Sequence, residues 1–118
     1  MIIYKQFTFD SAHFLPNVPD GHKCRAVHGH TYNFTVFLED DLMEKLGWVV
    51  DYTDLKNAIQ PIIKIIDHQL LNNIPGLENP TSEILVIWLW NKIKPLLTSL
   101  KRIELKETAS SGVIYEGY

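Results

Sequence analysis

Ile2-Ile3-Tyr4-Lys5-Gln6-Phe7-Thr8-Phe9-Asp10 is the stretch that decides the fold class. Ile3, Lys5, Phe7 and Phe9 alternate with Tyr4, Gln6, Thr8 and Asp10, and β-branched and aromatic residues are enriched, so the segment reads as a strand running up to His13. Pro16, Pro19 and Gly21 mark residues 17–22 as a loop, with Cys24 close to its end, and a second strand spans about His28 to Glu39. Residues 40–45 read as a polar turn or helical cap and residues 48–51 as a short strand. Leu55, Ile59, Ile62, Ile63 and Ile66 recur at helical spacing behind a cap at Asp51 or Thr53, and Pro61 is expected to bend or break that helix. Past Asp67-His68 and the Pro75-Gly76 loop, Thr81-Ser82-Glu83 opens a second helix. Pro80 precedes it, Thr81 or Ser82 caps it, and it runs to about Leu97. Residues 101–107 alternate as a strand, Ile103 and Leu105 on one face and Arg102, Glu104 and Lys106 on the other. A Ser110-Ser111-Gly112 turn leads to a last strand at 113–116. Strands first, helices next and strands last predict a single α+β domain over residues 1–118, its two helices on one face of an antiparallel sheet. Open sheet edges point to pairing between subunits of a homo-oligomer.

The 118 residues include 46% hydrophobic residues, enough for a sizeable core. A net charge of −3 with dispersed Lys and Arg disfavours nucleic acid as a partner and leaves small molecules or proteins. One cysteine cannot form an internal disulfide, residues 1–5 lack the apolar run of a signal peptide, and the apolar run 84–90 is too short to span a membrane. A cytoplasmic protein with no membrane segment is the expectation.

Chemistry concentrates in Ser11-Ala12-His13 and Lys23-Cys24-Arg25-Ala26-Val27-His28-Gly29-His30. His28 and His30 are two apart, so on a strand both side chains leave one face, and His13 on the preceding strand supplies a third imidazole. Three neutral imidazoles suit zinc and leave a coordination position open for water or substrate. Cys24 has three readings: an inert small hydrophobe, a fourth ligand closing a structural Cys-His₃ site, or a reactive thiolate favoured by its Lys23 and Arg25 neighbours. Asp67-His68 taken alone is an acid beside a histidine at a helix end. Glu107 falls late in a strand whose outer face also carries Glu104 or Lys106, where exposure is the default. Trp48, Trp88 and Trp90 read as core or interface residues.

Cys24-x-x-x-His28-Gly29-His30, Phe9-Asp10-Ser11-Ala12-His13, Asp51-Tyr52-x-x-Leu55-Lys56, Asp67-His68, Pro80-Thr81-Ser82-Glu83 and Lys106-Glu107-Thr108 together resemble the 6-pyruvoyl-tetrahydropterin synthase family, in order and over nearly the whole chain. The three-residue spacer after Cys24 is similar to that of the bacterial 6-carboxy-tetrahydropterin synthases of the queuosine pathway. The resemblance implies a tunnelling fold (T-fold) with a four-stranded antiparallel sheet. Sheets from several subunits would join into a barrel, typically a homohexamer made of two trimers, with sites at subunit interfaces. It implies a carbon–carbon lyase converting 7,8-dihydroneopterin triphosphate to 6-carboxy-5,6,7,8-tetrahydropterin, acetaldehyde and triphosphate. It further implies Zn²⁺ on His13, His28 and His30, proton transfer by Cys24, Asp67 and His68, and a pterin grip by Glu107 with Thr81, Ser82 and Thr108. Lys23 and Arg25 are candidate triphosphate contacts, or simply solvated surface residues. Two alternatives stand beside this reading: a 6-pyruvoyl-tetrahydropterin synthase that eliminates triphosphate, and a non-enzymatic assembly protein with structural zinc.

Overall fold

A computed structural model describes all 118 residues, Met1 to Tyr118. Strand β1 (Ile2–His13) leads through a 3₁₀ turn (Lys23–Arg25) to β2 (His28–Glu39). Helix α1 (Tyr52–Ile66), a second 3₁₀ turn (Leu71–Asn73) and helix α2 (Ser82–Ile93) follow, then β3 (Leu100–Thr108) and β4 (Ser111–Tyr115). The strands form one sheet in the order β1-β2-β3-β4 with every neighbouring pair antiparallel. No helix is long and apolar enough to cross a membrane.

The alternation in β1 sets the layers. Phe7, Phe9, Ser11 and His13 are buried while Thr8 and Asp10 are exposed, and β2 buries Tyr32, Phe34, Val36 and Leu38 on the same face. The register brings Phe7 opposite Phe34 and Phe9 opposite Tyr32, and both pairs stack, with ring centroids 5.3 and 4.9 Å apart. Leu55, Ile59, Ile62 and Ile66 of α1 and Leu85, Val86, Trp88, Leu89 and Ile93 of α2 close over this face as one core of 20 buried residues. Asp51 caps α1 by accepting the Thr53 N–H, and Thr81 caps α2 by accepting that of Ile84.

Local expectations fail in four places. Residues 48–51 form no strand, because the Trp48 carbonyl is taken by the Met43 N–H in a closed local turn and the chain passes straight into the α1 cap. Pro61 neither breaks nor ends α1, which continues to Ile66. Pro61 and Asn57 are both exposed, so the proline and the carbonyl it deprives of a donor lie on the solvent side of the helix. Helix α2 ends at Ile93 rather than near Leu97, because Pro95 has no N–H for the next helical bond and turn bonds from Leu96 and Leu97 to Ile93 replace it. Finally, β4 begins at Ser111, and Gly112 is a paired strand residue where a Cβ would clash with the Leu105 carbonyl oxygen.

Candidate functional site

Beyond the aromatic layers, the inner face of the sheet turns polar. The β1–β2 register sets His13 opposite His28 and Ser11 opposite His30, and Ser11 and His13 are the buried polar residues outside the hydrophobic core. The ligand nitrogens of His13, His28 and His30 all lie within 4.8 Å of one another, and the three rings meet edge to face at centroid distances of 4.6 to 5.0 Å.

Backbone carbonyls set the tautomers. His13 Nδ1 lies 2.8 Å from the Pro80 carbonyl oxygen and His28 Nδ1 2.8 Å from that of Ala26. A carbonyl can only accept, so both Nδ1 atoms carry the proton and both Nε2 atoms of the neutral rings present lone pairs. Those two Nε2 atoms face each other at 3.0 Å. Two acceptors at that distance need a cation between them, and imidazoles oriented by second-shell carbonyls are what a bound transition metal requires. The three-nitrogen set therefore fits a metal ion that takes imidazole ligands. Burial, chiefly, holds the His13 pKa below its ordinary value, which keeps its ring in the neutral form that ligates.

Glu107 corrects the expected strand geometry. It shares parity with Ile103 and Leu105, so it belongs to the inner face, not the outer one, and is 28% exposed. Its Oε1 stands 3.5 Å from His13 Nε2 and 3.4 Å from His30 Nε2. Burial, and then this carboxylate, push the Tyr32 phenol well above its ordinary pKa, so it remains an O–H beneath the cluster.

A cavity of about 460 Å³ opens over the three histidines and is lined also by Leu15, Lys23, Cys24, Glu107 and Thr108. Cys24 shares this cavity, yet its sulfur is not one of the mutually close ligand atoms, so the closed Cys-His₃ site is not what the chain builds. The 3₁₀ turn places it: the Cys24 N–H bonds to His22 Nδ1 at 3.0 Å, and its carbonyl accepts the Leu15 N–H at 2.8 Å. Lys23 lines the cavity. Arg25 is not part of the lining and is held by the Val18 carbonyl and Asp20, at 2.7 and 3.3 Å.

Asp67 and His68 lie elsewhere in the same chain. Leaving α1, residues 67–70 run along the free edge of β1, with the His68 N–H on the Asp10 carbonyl at 2.6 Å and the Ala12 N–H on that of Gln69 at 2.9 Å. Here His68 and Gln69 line a second, open hollow of about 520 Å³ with Asp10, Ser11, Ala12, Gly29, His30 and Thr31, which includes neither Asp67 nor Cys24. His68 Nδ1 is 3.0 Å from Asp67 Oδ1, which also accepts the Asp10 N–H at 3.0 Å. Thr108 lines the histidine cavity. Thr81 and Ser82 are half-buried at the start of α2, one residue beyond the carbonyl that orients His13. The orienting groups Pro80 and Ala26 escaped sequence reasoning because they act through main-chain oxygens, which carry no side-chain signal.

The Asp67 carboxyl is held below its ordinary pKa, first by the Asp10 N–H and then by the His68 imidazole. A carboxylate depressed in the folded state adds stability above its unfolded pKa, and that contribution is lost as pH falls through the folded value. Asp67→Asn is therefore expected to melt below wild type at neutral pH, with the two melting curves converging below about pH 4. A gap that persists unchanged at lower pH would contradict this assignment.

A family model described as 6-pyruvoyl tetrahydropterin synthase matches residues 2–118. A 6-carboxy-5,6,7,8-tetrahydropterin synthase of Synechocystis sp. is 38% identical, covering 97% of this chain and 92% of its own. A dihydroneopterin monophosphate aldolase of Pyrococcus furiosus is 34% identical over 98% of this chain and 96% of its own. The solved Caenorhabditis elegans 6-pyruvoyl tetrahydropterin synthase superimposes with a TM-score of 0.93 at 24% identity, covering 100% of this chain and 96% of that one, a likeness of fold.

Proposed function

The chain belongs to the 6-pyruvoyl tetrahydropterin synthase family, and from that premise we propose that it is a 6-carboxy-5,6,7,8-tetrahydropterin synthase. It is a lyase that takes 7,8-dihydroneopterin triphosphate to 6-carboxy-5,6,7,8-tetrahydropterin, acetaldehyde and triphosphate, a step of queuosine biosynthesis. The observation that carries the reading is the pair of bare Nε2 atoms of His13 and His28, 3.0 Å apart in the cavity that also holds Cys24. Three-residue spacing between Cys24 and His28 agrees with it.

His13, His28 and His30 would hold a metal ion, taken as Zn²⁺, and it would supply Lewis acidity toward the substrate side chain. Pro80 and Ala26 keep the ligand rings turned inward, so the site is built before substrate arrives. Cys24, as thiolate, removes a proton from the side chain of the pterin. With its Nδ1 proton on Asp67, His68 presents Nε2 to carry or return a proton. Because His68 and Cys24 line different hollows of one chain, we take the complete set to be assembled from two subunits. That requirement favours the homohexamer of two trimers, with sheets joined into a barrel, and a cytoplasmic setting suits the pathway. Glu107 accepts hydrogen bonds from the amino-pyrimidine edge of the pterin from its place beside the metal ligands, and Thr81, Ser82 and Thr108 line the ring's pocket. Lys23 is the better placed triphosphate contact, since Arg25 is already engaged.

The test is product analysis of zinc-loaded protein with 7,8-dihydroneopterin triphosphate. Acetaldehyde in equal amount to 6-carboxytetrahydropterin is expected. Triphosphate release with the three-carbon side chain retained would identify a pyruvoyl-forming enzyme instead. Turnover of the monophosphate alone would place the protein with the aldolase relative.

A further inference from the structure

Ser11 has no part in the machinery described so far, yet it is 6% exposed and its hydroxyl donates to the Ile66 carbonyl. Ile66 is the last residue of α1 and fully buried, and the last carbonyls of a helix have no partner within it. From this anchored end the chain reaches Asp67 in extended conformation and then His68 at φ 55°, in the left-handed region that a residue other than glycine seldom occupies. The backbone of Asp10 and Ala12, on either side of Ser11, makes the bonds that hold residues 67–69 to the β1 edge. Ser11 adds the one β1 side-chain clamp, and it grips the residue just before the Asp67–His68 pair.

We infer that Ser11 is a positioning residue for His68: by fixing the end of α1 against β1, its hydroxyl keeps the imidazole seated on Asp67 in the left-handed conformation. This rests on the proton-transfer role proposed for His68. Removing the hydroxyl leaves the Ile66 carbonyl without a donor, loosens the helix end and lets His68 relax toward a commoner backbone conformation. The core of 20 hydrophobic residues is untouched, so the protein stays folded.

The experiment is a double-mutant cycle of Ser11→Ala and His68→Ala in the zinc-loaded protein, read by kcat, KM and amide hydrogen exchange. Ser11→Ala is expected to lower kcat on the order of tenfold with KM unchanged, as misplacement of a reacting group does. In the His68→Ala background it should cost nothing further. Exchange at the His68 and Ala12 amides should quicken while that of β2 holds. An equal kcat loss in both backgrounds, or unchanged exchange at His68 in an active enzyme, would overturn the inference. A wild type with no pterin turnover would instead overturn the reading of function on which it rests, and the exchange rates alone would then decide whether the clamp exists.

Discussion

Cys24→Ala is expected to lower acetaldehyde formation by about 10² to 10⁴-fold, the range lost when a general base is removed, while zinc content and melting temperature stay near wild type. The structure separates these effects. Cys24 lines the histidine cavity but is not among the mutually close ligand atoms, so its removal leaves the three-nitrogen set complete. Its side chain is only partly buried and takes no part in the hydrophobic core, so little packing is lost. Its position comes from main-chain bonds to His22 and Leu15, which alanine retains. Activity within tenfold of wild type would remove Cys24 from the mechanism; loss of zinc along with activity would make it a ligand.

Stripping the metal with a chelator is expected to reduce turnover by at least about 10³-fold, restored on adding zinc, with the circular dichroism of the sheet and helices preserved. His28→Ala should lose turnover likewise with the fold preserved, and added zinc should not restore it. A structural site fails such a test, because there metal binding is itself the folding free energy. Here the core of 20 buried residues lies along the helices and the middle of the sheet, and none of the three histidines is among its members. His28 is only half-buried, and its imidazole leans on the local Ala26 carbonyl and on the ligand rings of His13 and His30, so losing it removes a ligand and no member of the hydrophobic core. Unfolding on chelation would reverse the assignment and favour the assembly protein held by structural zinc.

Much of this was legible in the chain because the signals are local. The period-two pattern of residues 2–10 and the spacing of Leu55, Ile59, Ile62 and Ile66 depend on which side of an element faces the core. Where local reading failed, a competing bond was involved: the turn that takes the Trp48 carbonyl, or the turn bonds to the Ile93 carbonyl around Pro95. For Glu107 the parity of Ile103 and Leu105 already held the answer, since the three odd-numbered residues share one face.

By itself the sequence determined the α+β order of elements, the inward pairing of His28 with His30 and the donor chemistry that a metal would meet. The tertiary structure alone decided that His13 lies across from His28, that main-chain oxygens of Pro80 and Ala26 bare the nitrogens between them, and that Glu107 stands beside them. It alone parted His68 from Cys24 within one chain, by laying residues 67–70 along the β1 edge. The physical reason is range. Periodicity and ligand type are properties of neighbouring residues, whereas a carbonyl 67 positions away can fix a tautomer only after the sheet and helices have packed.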